Sequence, residues 1–406
     1  MKILHTGDLH LGKTLHETSL LEDQKIMLDL LLEELSRDSY AALIIAGDVY
    51  DRTIPPAEAV ELFSSFLVRL RSDFPDVTVF IIPGNHDSAR RLAFADKILG
   101  RQNIHIAADP EESFTPIILG KDGNRLAFFL LPFLLPGTLA PAPETPAAGM
   151  DGELDLFDGD PAGTEPLLSS QSDLAREASR RFDEVLSKPE YRGIPAVLVA
   201  HLFMTGGEES PSERVFVGSA EKVPSSLFSG FSYVALGHLH KTQRVHDRIW
   251  YSGAPLAYAF DEAGTEKCFL RVELDTASGE VPVTVTRIPV RPARPVVRLS
   301  GAFDDFYHGS AFDGHADSYL EITLTDSSLV ANPMNLLRDK FPLLLSIRQG
   351  LAQNEKKDAD NPAREQKKGR NPLEDFCSFQ EQLYGTVDTE KKTLFSQLLE
   401  SMRHES

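Results

Sequence analysis

Residues 41–51, AALIIAGDVYD, carry the pattern that decides the fold: six small or apolar residues, then a glycine, then two aspartates. An apolar run of that length without polar alternation reads as a strand buried on both faces, and the glycine permits a sharp exit from it. The same pattern recurs along the chain. KILHT (2–6) runs into Asp8 and His10, and VTVFIIPG (77–84) into Asn85, His86 and Asp87. AVLVA (196–200) is followed by His201, and YVALG (233–237) by His238 and His240. RLAFFLLP (125–132) adds a sixth strand without such an ending. Helical patterns lie between the strands. In LEDQKIMLDLLLEELSRD (21–38), Ile26, Leu30, Leu31 and Leu35 share one face, and PPAEAVELFSSFLVRLR (55–71) aligns Val60, Phe63, Phe66, Leu67 and Leu70 behind an opening suited to a first turn. Strands alternating with helices predict an α/β protein built on βα units around a largely buried sheet.

Composition sets the limits of that reading. A chain of 406 residues holds two or three domains, and 42% hydrophobic with 25% charged residues is ordinary for a globular protein. Cys268 and Cys377 can form at most one bridge, which suits a reducing cytoplasm. The opening MKILHTGDLH has no apolar stretch behind it and is not read as a signal peptide, and no run approaches a membrane span. With 41 basic against 61 acidic residues the net charge is −20, which argues against a broadly basic nucleic-acid surface.

The stretch 137–175 has eight Asp or Glu and no Lys or Arg, and reads as a solvated acidic insert. RPARP (291–295) reads as a linker, and 296–348 as a small α+β module of strand, helix and strand. The polar stretch 354–371 reads as a second linker, followed by two short amphipathic helices in 372–406.

The chemistry is positional. Ligands gather at the carboxyl ends of strands in α/β sheets, so five strand ends bearing Asp, His and Asn predict one shared site. Alternate residues of an extended segment point the same way, so Asp8 with His10, and His238 with His240, can each face one cavity. A lone His or Asp is usually a surface or satisfied core residue, and DxH is common by chance. The ordered series GDxxD, GNHD and GHxH, each behind an apolar strand, is not. Carboxylate, imidazole and amide donors without thiolate favour Mn²⁺, Mg²⁺ or Fe²⁺ over structural Zn²⁺. Seven donors (Asp8, His10, Asp48, Asn85, His201, His238 and His240) exceed one ion's needs and suit two ions about 3.5–4 Å apart sharing a carboxylate. His5, His16, His105, His246, His308, His315 and His404 lack this context.

DLH (8–10), GDVYD (47–51), GNHD (84–87), AH (200–201) and GHLH (237–240) together resemble the calcineurin-like metallophosphoesterases. KILHTGDLHLGKTL, GNHDS, ALGHLHK and YSGAPLAYAFDEAGTEK (251–267) are similar, more narrowly, to the bacterial SbcD-type nucleases. The likeness is strong over 1–136 and 195–270, fair over 285–350 and weak in the tail; the acidic insert departs from it. It implies a four-layer α/β/β/α sandwich over 1–284, a DNA-capping domain over 285–353, and a helical tail docking on the coiled-coil base of an SbcC-type ATPase. It also implies two Mn²⁺ ions, with Mg²⁺ the alternative: one on Asp8, His10 and His240, the other on Asn85, His201 and His238, and Asp48 bridging. His86 becomes the acid that protonates the leaving oxygen, with Asp87 orienting it. Some relatives carry a second histidine where this chain has Asp51, which leaves His86 as the main acid.

The expected activity is that of a DNA double-strand exonuclease and single-strand or hairpin endonuclease in a cytoplasmic, nucleoid-associated heterotetramer, with no membrane partner. Lys13, Arg52, Arg90, Arg91, Lys241 and Arg244 lie near the motifs and could contact phosphates; Arg90 and Arg91 could equally be an exposed helix turn. The same likeness makes the helices 56–72 and 88–99 a homodimer interface, though they could equally be buried. Phe376, Phe379, Leu383, Phe395 and Leu398 form an apolar pattern suited to a partner or to packing on the chain itself. A phosphodiesterase for small nucleotides or phosphoproteins is the alternative enzyme, and a binding scaffold the non-enzyme reading. TGG (205–207) is followed by no GKS or GKT, so no ATP site is expected.

Overall fold

The computed structural model describes residues 1–121, 123–139, 168–213, 222–276 and 281–349, and in the tail 373, 376, 377, 380, 389 and 391–396. The linker read at 354–371, most of the acidic insert, His404, Phe379, Leu383 and Leu398 lie outside the described residues. The chain divides into two compact units, 1–325 with 330–349, and 326–329 with 350–406. In the second, Phe376 stacks on Phe395 with ring centroids 4.3 Å apart, so two of the tail's apolar residues pack on each other. Among the described residues no helix is long and apolar enough to cross a membrane.

The first unit is built on two six-stranded mixed sheets, as the family resemblance implies. One runs in spatial order through Val283–Pro289, Cys268–Leu274, Lys2–Thr6, Ala42–Ala46, Thr78–Ile82 and Ile104–Ile106. The other runs through Gln243–His246, Ile249–Tyr251, Tyr233–Gly237, Ala196–His201, Asn124–Leu131 and Ile117–Lys121. Successive side chains of a strand face opposite ways, and here both ways are buried. Ala42, Ile44 and Ala46 point into the space between the sheets, while Leu43 and Ile45 join the core under the helices Leu21–Arg37 and Ala57–Asp73. Behind the second sheet, Leu174, Ala178, Phe182 and Val185 of the helix Gln171–Leu186 form the matching outer core. Helix, sheet, sheet and helix make the four layers expected. Phe80 and Phe128 stack across the inner interface at 4.4 Å, and truncating either to Ala should cost roughly 3–5 kcal/mol.

Two stretches differ from their sequence reading, and four strands have no counterpart in it. The acidic insert stops short of residue 175, because a helix begins at Gln171. Ser170 caps it by accepting from the Asp173 amide, and its apolar positions recur at 3.6-residue spacing. The helix read over 88–99 is two short helices, Ala89–Leu92 and Asp96–Gly100, broken at Ala95, whose φ of 63° is left-handed. The strands Ile104–Ile106, Ile117–Lys121, Gln243–His246 and Ile249–Tyr251 are too short or too polar to stand out as apolar runs.

Residues 296–349 form a three-stranded parallel sheet, Val296–Gly301, Tyr319–Leu324 and Leu344–Gln349, with helices Phe303–Tyr307 and Pro333–Arg338. It has its own core of Phe306, Leu320, Ile322, Leu324, Leu337, Phe341 and Leu344. The RPARP linker is tied down where Asp23 Oδ2 accepts from Arg294 Nη1 at 2.7 Å and from the Tyr319 hydroxyl at 2.7 Å.

His5 lies inside the first sheet with its Nδ1 2.9 Å from the Tyr233 hydroxyl, and burial lowers its pKa to about 3. The unfolded chain therefore takes up a proton near pH 6.5 that the folded one refuses until about 3. This contribution to stability is complete above pH 6.5 and is lost as pH falls through that window. Between pH 7 and pH 5 the group alone should remove about 2 kcal/mol. Guanidinium unfolding at both pH values should show that loss in wild type and a flatter response in His5→Gln.

Candidate metal centre

The strand ends converge as their positions predicted, and the turns that bring them together are strained. Asp8 (φ 52°), His10 (φ 44°), Asp48 (φ 47°) and His238 (φ 108°) all hold left-handed backbone. For residues other than glycine this is uncommon and costs of order 1–3 kcal/mol each, so packing around the turns must enforce it. Gly47 has φ 91°, and a Cβ there would stand 2.1 Å from His201 Nδ1. Only glycine lets that imidazole close on the GDVYD turn.

Two groups of donors result. In the first, His10 Nε2 lies 3.1 Å from His240 Nε2, and both rings cluster with the Asp8 carboxylate. In the second, Asn85 Oδ1 is 3.0 Å from His201 Nε2 and 3.0 Å from His238 Nδ1. Asp48 stands between them, its Oδ2 3.5 Å from His201 Nε2 and 3.7 Å from His10 Nε2. Asp8, Asp48 and His201 also fall into one cluster, so the two groups adjoin. Five of the seven residues proposed as ligands, His10, Asp48, Asn85, His238 and His240, line one cleft of about 250 Å³, and the fully buried Asp8 and His201 cluster with them from behind.

The electrostatics fit cations. Burial, and then the neighbouring charge of His240, keep the His10 ring neutral; burial likewise lowers the pKa of His201 and, together with His201 and His240, that of His238. Neutral imidazoles present lone pairs, the state that binds metal. Burial also pushes Asp8 well above the carboxylate range, with Asp48 adding to the effect although His240 opposes it. A carboxylate as deep as Asp8 needs positive counter-charge to ionise, and a bound divalent ion would supply it. For His240, burial disfavours charge, but Glu262, Asp8 and Glu213 outweigh it and raise the pKa.

The residues proposed for catalysis divide. His86 lines the cleft, edge-on to His10 at 4.9 Å, with its backbone amide on Asp48 Oδ1 at 2.9 Å and its ring Nδ1 2.9 Å from the Asp51 carbonyl. With Nδ1 so placed, Nε2 is the nitrogen able to pass a proton to a substrate. Asp87 does not orient that ring through a hydrogen bond. Its carboxylate accepts from the amides of Val49 (3.0 Å), Tyr50 (2.9 Å) and Gly84 (3.0 Å), tying the second and third strand ends together. Burial, then Asp48, raises its pKa to about 7. The oriented partner of His86 is instead the Asp51 main chain, while the Asp51 side chain pairs with Lys13 at 2.6 Å and stands 3.6 Å from His10 Nδ1.

Of the basic residues, Lys13 lines the cleft, Arg52 lies 3.6 Å from Asp51, Lys241 pairs with Glu208, and Arg244 with Asp247. Arg90 and Arg91 are exposed on the short helix that follows Asp87.

Glu213, Tyr258, Glu262 and Lys267 were not picked out from the sequence as site residues. Glu213 accepts from the His240 amide at 2.5 Å, Glu262 Oε1 is 3.1 Å from His240 Nδ1, and the Tyr258 ring packs on His10 and His240. Three of them fall in YSGAPLAYAFDEAGTEK, where Asp261, Glu262, Glu266 and Lys267 are charged and nothing local marks which of them reaches the site.

The calcineurin-like phosphoesterase family matches residues 1–242. Among solved structures, a crystal structure of phosphopantetheinyl hydrolase (PptH) from Mycobacterium tuberculosis is similar at 17% identity and a TM-score of 0.33, over 63% of this chain and 90% of that one. A likeness that loose carries no argument about substrate. The family match covers all the motif residues from Asp8 to His240, and the converged donors are those that metal-dependent phosphoester hydrolysis requires. The chain belongs to the calcineurin-like phosphoesterase family.

Proposed function

We propose that this protein is an SbcD-type DNA nuclease, cleaving phosphodiester bonds at a binuclear Mn²⁺ centre and working with an SbcC-type ATPase. The observation that carries the choice of a polymeric substrate is a groove of about 560 Å³ that adjoins the metal cleft. The two share Ser212, Tyr258 and Ala259, and the groove continues to Arg298 and Arg348 on the three-stranded sheet. Both guanidinium groups are held through Nε by the buried Glu321, at 2.7 and 3.0 Å, which leaves their outer N–H donors for a phosphate. A track from the scissile position to a second cationic point suits a strand of several phosphates better than one nucleotide. Within a chain of net charge −20, Lys13, Arg298 and Arg348 are the cations that could meet the backbone along this track.

Two bound ions would activate a water and neutralise the phosphate between them. The chain's own contribution is to hold the donors, exclude bulk water and supply a proton from His86 Nε2 to the leaving oxygen. His86→Ala should lower turnover about 10²–10⁴-fold; its ring also clusters with His10 and Asp51, so Mn²⁺ uptake is measured on the same variant. Wild-type turnover in that variant, by gel assay with Mn²⁺, would remove His86 from the mechanism.

Dimerisation draws support from exposed apolar side chains around the two outer helical segments: Ile54 (65% exposed), Val68 (67%), Phe94 (82%) and Ile98 (69%). Linear duplex DNA and bis(p-nitrophenyl) phosphate, each with Mn²⁺, Mg²⁺ or EDTA, test the substrate. Metal-dependent shortening of the duplex, alone or with the ATPase added, is expected. Turnover of the small diester with an intact duplex, even with the ATPase, would favour a small-nucleotide enzyme.

A further inference from the structure

We infer that Glu262 and Lys267 are positioning residues for one ion of the pair, acting through the His240 ring. The inference rests on reading the cluster as a metal centre and adds how one half of it is tuned. Glu262 is 4% exposed and Lys267 5%, and neither belongs to the motifs that end the strands. Glu262 Oε1 lies 3.1 Å from His240 Nδ1, which makes Nδ1 the protonated nitrogen of that ring. The Nε2 lone pair is then directed at the donor group, where His10 Nε2 stands 3.1 Å away. Glu262 Oε2 ion-pairs with the Lys267 ammonium, which also donates to the His240 carbonyl at 3.0 Å. One buried ion pair thus grips both the ring and the main chain of a single histidine.

The other histidines lack such support. His201 Nδ1 meets a backbone carbonyl, that of Ala46, at 2.9 Å. His238 Nε2 is buried without a hydrogen-bond partner among the described residues. For His10, the Asp51 carboxylate stands off at 3.6 Å, beyond hydrogen-bond range. A buried ion pair is seldom more stabilising than apolar residues of the same volume, so its placement behind one ligand points to a role at that ligand. A carboxylate behind a metal-binding imidazole fixes the tautomer and raises its basicity, and removing it typically weakens metal binding about 10–100-fold.

Mn²⁺ titrated calorimetrically into EDTA-stripped full-length protein should resolve two binding events. Glu262→Gln is expected to weaken one of them about 10–100-fold and leave the other unchanged, with turnover restored at correspondingly higher Mn²⁺. Glu262→Asp keeps the charge but withdraws the oxygen from Nδ1, and should give the same selective loss. Unchanged binding in either variant, with a wild-type melting curve, overturns the inference. So does equal weakening of both events, which marks a general structural role. Wild-type protein that takes up no Mn²⁺ overturns instead the metal reading beneath it, so the two failures are distinct.

Discussion

Asp48→Asn should lower phosphodiester hydrolysis at least about 10³-fold, roughly 4 kcal/mol of transition-state stabilisation, while the protein still folds. Asp48 stands between the two donor groups, within 3.7 Å of an imidazole from each. The change is nearly isosteric, and asparagine tolerates the left-handed φ of 47° well. It can still accept from the His86 amide, now at 2.9 Å from Asp48 Oδ1. What it removes is the shared negative charge that two cations need between them. Circular dichroism should therefore be unchanged while calorimetry shows weaker Mn²⁺ uptake. A variant within tenfold of wild-type turnover would mean that Asp48 does not bridge.

The second large effect is structural. Gly237 ends the strand Tyr233–Gly237, and a Cβ there would stand 1.8 Å from the Ala46 carbonyl oxygen on the facing sheet. That contact is with main chain, so no side chain can swing aside to relieve it. Gly237→Ala should cost about 3 kcal/mol of stability by forcing the two sheets apart at the site. The same carbonyl accepts the His201 ring N–H at 2.9 Å, so the displacement also misplaces a ligand. Loss of stability and loss of activity should appear together. A variant with an unshifted denaturation midpoint would show that the sheets are looser here than the packing implies.

How far the sequence could be read follows from which interactions are local. Apolar strands ending in Gly-Asp, Gly-Asn-His-Asp and Gly-His-x-His are local patterns, so those strands and the residues that converge at their ends were legible. That two sheets face each other was legible only through the family resemblance, because a strand buried on both faces looks the same whether helix or sheet covers it. Ala42 and Leu43 differ in which core they enter, not in composition. Asp87 was misread for a related reason: adjacency to His86 suggested a pair, whereas its carboxylate serves amides 38 and 37 residues back as well as Gly84. Glu262 and Glu213 act on His240 from 22 and 27 residues away, distances at which no spacing rule operates.

The most direct test of the account is the number of divalent ions that turnover requires. Mn²⁺ is titrated into EDTA-stripped protein, with uptake read by calorimetry and phosphodiester cleavage followed in the same samples. The binuclear centre predicts two ions per chain, no cleavage in EDTA, and activity that appears only as the second ion binds. Full activity at one ion per chain, or cleavage that survives EDTA, would contradict it.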